Sequence, residues 1–395
     1  MNIFKFFKSK PYIRVAVIDS QFPQARPMGF RNFEINGILK SFDSARAFAM
    51  PPMKPQKTAH MQYKMGIKKS AFKQNLASYL SFYPENAGKV AYLPNCLTNV
   101  GVVYSYFLAE TYLLLPYLNK NKIPFVFVLY PGGLFGLNNP ASDSMLKEIF
   151  ASPYFRKVIA TQPVTKEYLL DKKFCDADKI HYLFGGYPQF SKNDVLPRKK
   201  YPVDKQTIDL CFVAGKYSPG GIDKGYDLFI EVGKRLIAAH PNVRLHVVGN
   251  FDENDADISS IKDKVTFYGF LQPDALRTFY QTMDICLSPN RPYKLMPGNF
   301  DGFPLGLEAM LFGLVLMTTD ELKNNRGIFA DGHELIIIRP DADDIMAKIE
   351  PLIESPDKIY KIGETGRKKF GKVMDADERL QNVVDMLAEL TGGTK

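Results

Sequence analysis

Ile123-Pro124-Phe125-Val126-Phe127-Val128-Leu129-Tyr130 is apolar throughout. A strand with one wet face alternates apolar and polar residues; a continuous apolar run fits a parallel strand covered on both faces. Working outward, residues 14–18 (RVAVI, ending at Asp19), 90–93 and 157–161 read as further strands. Residues 33–48, 102–118 and 163–170 read as helices between them. Alternation of this kind is the signature of α/β layers. Polar and proline-rich residues dominate 191–206, and a second alternation follows. Its strands are read at 208–214, 243–248, 265–268, 285–288 and 335–338. Its first helix, 226–240, buries Leu228, Phe229, Val232, Leu236 and Ile237. The tail 375–390 is an amphipathic helix with Leu380, Val383, Val384, Leu387 and Leu390 on one stripe and acidic residues in its first turn. The expected fold class is α/β, with two Rossmann-like doubly wound domains facing a cleft. The expected divisions are 1–195, a linker at 196–207, 208–374, and a C-terminal helix at 375–395 that is a candidate to cross back to the first domain.

The chain has 395 residues, 46% hydrophobic and 24% charged, the balance of a folded protein of two or three domains. Cys96, Cys175, Cys211 and Cys286 have no paired spacing, which argues against a disulfide framework or a zinc site and for a reducing, cytoplasmic compartment. The first ten residues mix aromatics with lysines and contain no apolar h-region; no stretch is long enough to cross a bilayer. The net charge of +9 is scattered, with its densest cluster at Arg198-Lys199-Lys200. No RNA-binding aromatic signature or helix-turn-helix accompanies it, so nucleic acid is not the expected partner. Phe4, Phe6 and Phe7 beside lysines suit peripheral contact with an anionic membrane.

The chemistry concentrates in Phe300-Asp301-Gly302-Phe303-Pro304-Leu305-Gly306-Leu307-Glu308-Ala309-Met310. One carboxylate sits in a glycine-turned loop. A second stands at a helix start, with Pro304 in the first turn and the apolar run 309–316 continuing the helix. Glu308 is a charge drawn toward a core, and such a charge needs a partner. Rival constellations are weaker. The acidic stretches at 176–178, 252–257 and 341–343 sit in turns or helix starts, where aspartate is favoured by capping. No Ser-His-Asp elbow, P-loop or dinucleotide glycine fingerprint appears.

Four features in order, Gly215-Lys216, Lys224-Gly225, Val247-Val248-Gly249-Asn250 and the two-carboxylate loop, resemble the retaining GT-B glycosyltransferases of family four, the glycosyl transferases group 1. The resemblance is strongest over 210–371. It implies that Lys216 and Lys224 hold the donor diphosphate, although the family usually has arginine where Lys216 stands. It implies that Gly249 and Gly269-Phe270-Leu271 bring main chain to the nucleotide, and that Glu308 holds the ribose. Asp301 would face the transferred sugar, with Gly302 and Phe303 offering N–H groups. Six residues separate the two carboxylates here, against seven in the family. In the first half, Gly29 is similar to the glycine that packs on the donor phosphates. Tyr130 replaces a histidine that many relatives carry at a strand end. Arg31, Tyr130 and Arg291 are candidate contacts to acceptor or sugar, and Glu34 is a candidate to line the cleft. The resemblance implies no metal, no cofactor beyond a nucleotide-diphosphate-sugar co-substrate, and a glycan or lipid-linked acceptor. Alternatives on the same fold are a nucleotide-sugar epimerase and a non-catalytic nucleotide-sugar-binding protein.

Overall fold

The computed structural model describes residues 12–24, 29–53, 65–188, 190–292 and 306–392. Among these, β1 (Ile13–Asp19), β2 (Arg46–Ala49), β3 (Val90–Tyr92), β4 (Val100–Tyr106), β5 (Phe125–Leu129), β6 (Phe155–Ala160) and β7 (Ile180–Tyr182) form a parallel sheet in the order β3-β2-β1-β4-β5-β6-β7. Helices α1 (Phe30–Ser41), α2 (Lys69–Phe82), α3 (Leu108–Lys120), α4 (Pro140–Phe150) and α5 (Pro163–Asp171) connect them. A second parallel sheet runs β10-β9-β8-β11-β12-β13, from β8 (Ile208–Val213), β9 (Val243–Val248), β10 (Val265–Phe267), β11 (Ile285–Ser288), β12 (Val315–Thr319) and β13 (Ile336–Ile338). Its helices are α6 (Tyr226–Ala239), α7 (Pro273–Thr282), α8 (Glu308–Leu311), α9 (Ala342–Ile353) and α10 (Pro356–Val373), followed by α11 (Ala376–Leu390). The α/β class and the two doubly wound sheets agree with the reading of the sequence. Every residue of β5 is buried, as its unbroken apolar run requires.

Three expected helices are corrected. The run 33–48 is α1 and then β2, because a turn at Asp43-Ser44 separates them and Ala47 and Phe48 pair with both neighbouring strands. The run 102–118 divides into β4 and α3. Its β-branched and aromatic first half fits a pleated, buried strand, and Phe107 (φ 57°) makes the corner. The run 309–316 is helical only to Leu311. The chain turns at Gly313, and the buried stretch from Val315 pairs with β11 and β13. Helices α2, α4, α7, α9 and α10 have no counterpart among the elements read from the sequence. In α7, for example, only Leu276, Phe279 and Tyr280 are buried, a stripe too short to stand out in ten residues.

Helix α11 belongs by packing to the first domain. Asp375 caps it, accepting from the N–H groups of Asp377 and Glu378. Val383, Val384 and Leu387 are buried in one core with residues of α1, β1, β2 and β4. Arg379 donates to the carbonyl of Phe184 at 2.7 Å, and Arg14 donates to Thr391 Oγ1 at 2.9 Å. The segment preceding β8 is pinned to the second sheet. Lys205 Nζ bridges Asp209 (2.6 Å) and Asp284 (2.5 Å), and Arg198 donates to the Met283 carbonyl at 2.9 Å.

A second crossing point orients the two sheets. Val164, just after the carboxyl end of β6, donates to Asn324 Oδ1 at 3.3 Å, and Glu167 pairs with Arg326. Residues 320–326 follow the carboxyl end of β12. The contact therefore sets the carboxyl edges of the two sheets toward each other. Among the described residues no helix is long and apolar enough to cross a membrane. Leu387→Ala should cost about 2–5 kcal/mol by urea unfolding, because Leu387 is fully buried beneath α11. A loss below about 0.5 kcal/mol would show that α11 is not seated on the first domain.

Candidate functional site

In each sheet the strand order reverses beside the first strand, at β1/β4 and at β8/β11. Loops leaving those strands diverge to opposite faces, and the crevice between them is where such sheets receive ligands. At β8/β11 the crevice is built largely from main chain. The Gly249 N–H donates to the Gly269 carbonyl at 2.9 Å, joining the loops after β9 and β10. Gly249 also lies so close to Ala214 that a Cβ would stand 1.8 Å from its carbonyl oxygen, so only glycine fits. Gly225 (φ 73°) is similarly pressed on Pro289, where a Cβ would stand 2.2 Å from the carbonyl oxygen. Arg291 N–H donates to the Asp223 carbonyl at 2.9 Å. The loops after β8 and β11 are thus locked together.

Lys224 stands in this locked corner, immediately before the N-cap of α6, and is 6% exposed. Burial lowers its pKa, with Asp223 acting in the opposite direction. Its ammonium lies 5.4 Å from the ring centroid of Tyr217, which is itself exposed. A buried cation joined to a helix N-terminus is an electrostatic arrangement that favours an incoming anion. Lys216 is held differently. Its N–H donates to Asn250 Oδ1 at 2.7 Å, and its ammonium lies 2.8 Å from both oxygens of Asp255. Phe270 is 71% exposed beside Gly269, and Leu271 is half-buried. Tyr268 is braced from below: its hydroxyl lies 3.0 Å from His246 Nδ1, while His246 Nε2 lies 2.8 Å from Asp209.

Glu308 opens α8 and is half-buried. Its charge raises the pKa of the buried Tyr280 hydroxyl, after the larger effect of burial. Gly306, two residues earlier, lies against the Ser288 side chain at the end of β11. The segments that carry Glu308 and Lys224 therefore reach the same strand end, one through Gly306 at Ser288 and the other through Gly225 at Pro289. Asp301, Gly302 and Phe303 lie outside the described residues, as do Phe4, Phe6 and Phe7. Arg291 is a strut at the rim: its guanidinium holds Asp227 of α6 at 2.9 Å and the Ile222 carbonyl at 3.3 Å.

At β1/β4 the structure brings Gly29, Arg31 and Tyr130 together, but the Arg31 guanidinium is turned to internal partners and the Tyr130 hydroxyl is buried. Arg31 Nη1 contacts Asp19 at 2.6 Å and Glu110 at 2.9 Å, and the Ser20 N–H donates to the other oxygen of Glu110 at 2.9 Å. Gly29 (φ 80°) precedes α1, and Phe30, Phe107 and Tyr130 pack edge to face or tilted beside it. Tyr130 is 6% exposed, so it caps a strand end and does not line an open wall. Glu34 is also buried. It accepts from the Tyr104 hydroxyl and lies among Tyr106, Tyr130, Tyr187 and Arg379. This cluster is invisible in sequence because Arg379 reaches it only through the return of α11. The one local signal is the placement of Tyr104 and Tyr106 on the same face of β4.

The acidic stretches read as turns are turns and caps. Asp341 caps α9 by accepting from Asp344 N–H at 2.9 Å, and Asp257 accepts from Ser259 N–H at 3.0 Å. Among the described residues no group of three His, Cys, Asp or Glu side chains could share a metal ion. Two cavities of about 470 and 630 Å³ lie away from both crevices, one against α10 and the linker, the other around Phe150 and Cys175.

Burial pushes Glu34 up to about 7, with Tyr104 and Arg379 opposing it. A carboxyl raised in the folded state favours folding fully below the unfolded pKa, about 4.5, and that contribution is lost as pH climbs through about 7. Glu34→Gln should therefore gain stability relative to the parent chain between pH 4.5 and 7, by up to about 3 kcal/mol in urea unfolding. Parallel pH profiles for the two chains would remove this assignment. Gly225→Ala should part the loops after β8 and β11 and cost about 2 kcal/mol or more. An unchanged unfolding midpoint would show that the two loops are not locked.

Residues 203–369 match the family model described as Glycosyl transferases group 1. No curated protein sequence matches the chain. Among solved structures, it is similar to sucrose-phosphate synthase from Thermosynechococcus elongatus (TM-score 0.65, 14% identity, 96% of this chain and 99% of that one). It is also similar to HepE from Anabaena in complex with UDP-glucose (0.66, 16%, 95% and 99%). A glycosyltransferase from Rickettsia africae superposes comparably (0.63, 15%, 98% and 100%). At these identities the likeness is one of fold, and it spans both sheets. The second half of the chain is thus similar to the Glycosyl transferases group 1 family over residues 203–369, and the whole described chain has a GT-B-like fold.

Proposed function

We propose that this protein moves a sugar, with retention, from a nucleotide-diphosphate-sugar donor to a hydroxyl of a glycan or lipid-linked acceptor. One observation carries the reading: Lys224, a buried cation beside the N-terminus of α6, and Glu308, a half-buried carboxylate, stand close in the chain to glycines (Gly225 and Gly306) that pack on Pro289 and Ser288 at the end of β11, the switch point. A nucleoside diphosphate has the complementary pair of groups, phosphates for the lysine and a ribose diol for the carboxylate. The family match over this domain supports the assignment. HepE, a structural neighbour, was solved with UDP-glucose, which makes uridine diphosphate the first nucleoside diphosphate to test and UDP-glucose the first donor.

In this reading Lys224 and the N-terminus of α6 stabilise charge that builds on the leaving diphosphate as the sugar–phosphate bond breaks. Lys216, across the loop, contributes to the same charge as a point cation. Glu308 holds the ribose hydroxyls. The main chain at Gly249, Gly269, Phe270 and Leu271 borders the nucleotide, and the reading gives Asp301, with Gly302 and Phe303, the transferred sugar. The first domain, from Gly29 to the Tyr130 strand end, supplies the acceptor side of the cleft. No metal is required, because the lysines and the helix N-terminus provide the positive charge. Contact with an anionic membrane through the basic, aromatic start suits a lipid-linked acceptor.

The test is a screen of nucleoside diphosphates by thermal stabilisation and calorimetry. At least one should bind, and Glu308→Ala should weaken it about 10- to 100-fold, since each charge-assisted hydrogen bond is worth about 1.5–3 kcal/mol. The apo melting temperature should stay within a few degrees. No stabilisation by any of the nucleoside diphosphates tried would overturn the donor site.

A further inference from the structure

The phosphate-facing lysine of the proposed donor site already has an anion. Lys216 Nζ sits 2.8 Å from each carboxylate oxygen of Asp255, and the two side chains are 25% and 11% exposed. Asp255 is itself fixed, because its Oδ2 accepts from the Asp252 N–H at 3.0 Å and closes the turn after β9. Its main-chain carbonyl borders Gly220, within the 219–221 turn that leads toward Lys224. The main chain of Lys216 is clamped to the same loop through Asn250. Both ends of Lys216 are therefore governed by residues 250–255, a stretch whose density of aspartates is otherwise spent on turn geometry.

We infer that Asp255 is a built-in competitor for the donor diphosphate: it occupies Lys216 in the empty site, yields it to the incoming phosphates, and takes it back when the diphosphate leaves. The inference rests on the donor-site reading above and adds a residue that the family resemblance did not point to. Two physical consequences follow. An arriving diphosphate must weaken a half-buried ion pair and come near a second negative charge, so affinity is held down. A departing diphosphate leaves Lys216 satisfied instead of stranded, so release is eased. The effect depends on charge carried by the ligand's phosphates and not on the base or ribose.

Calorimetry on the full chain tests this with uridine diphosphate, or whichever nucleoside diphosphate the screen selects, and with the matching bare nucleoside. Asp255→Asn removes the charge and keeps an oxygen to accept from the Asp252 N–H. It should bind the diphosphate about five- to tenfold more tightly than the parent chain and the bare nucleoside equally. Asp255→Ser, which also keeps an acceptor oxygen, should show the same gain and serves if the asparagine variant does not fold. In a Lys216→Met background the gain should shrink to the relief of charge repulsion alone, and an undiminished gain overturns competition for Lys216. Diphosphate binding that is unchanged or weaker in both variants, while the parent chain binds, overturns the role of Asp255 alone. Binding of no nucleoside diphosphate by the parent chain overturns the donor site and this inference with it.

Discussion

Everything at the second crevice depends on how closely its loops approach at the carboxyl edge of β8. Gly249 packs on the carbonyl of Ala214, and Gly225 on the carbonyl of Pro289, at separations that leave no space for a Cβ. These contacts are main chain against main chain, so the loops cannot slide by exchanging rotamers. Lys224 is held in the corner they make, next to the N-terminus of α6, and burial disfavours its charge there. A buried lysine beside a helix N-terminus is an arrangement in which negative charge is favoured. The same stitching brings the end of β11, and with it the entry to α8, alongside.

The first domain handles charge in the opposite manner. Arg31, Asp19 and Glu110 satisfy one another at the end of β1, and Glu34 lies under a roof of tyrosines with Arg379. Burial raises Glu34 to about 7 and also pushes Glu110 up, with Asp19 adding to the rise and Arg31 opposing it. These groups organise the domain more than they present it to a ligand. Because Arg379 arrives on α11, the buried cluster also ties the end of the chain to the first sheet. The two crevices are consequently unequal: one is rigid main chain around a cation, the other a set of internally paired side chains.

Much of this was legible in the order of the residues. Unbroken apolar runs such as 123–130 mark strands covered on both faces, and their alternation with longer amphipathic stretches marks the α/β class. The glycines and lysines at 215–225 and 249 mark, through the family resemblance, loops that the fold gathers at the carboxyl edge of β8. Element type failed where local pattern is ambiguous. A run such as 102–118 is apolar enough for a buried helix or a buried strand, and only the pairing of β4 with β1 and β5 decides its first half. Likewise Leu314, Val315 and Leu316 continue an apolar helix on paper, but the turn at Gly313 hands them to the sheet.

The sequence by itself determined the composition of the chemistry: which residues carry charge, where glycine permits close approach, and how many sheets there are to fill. It also determined that the tail 375–390 has one face to bury. Tertiary structure alone decided where those features meet. That α11 buries its stripe on the first domain, that Arg31 turns to Asp19 and Glu110, and that Lys216 is paired with Asp255 all depend on contacts between residues distant in the chain. Ion pairs and packing act over a few ångströms in space, whereas sequence pattern reports only neighbours along the backbone. For that reason a lysine can be recognised as suited to phosphate from its motif, while the aspartate that already holds it becomes apparent only in the fold.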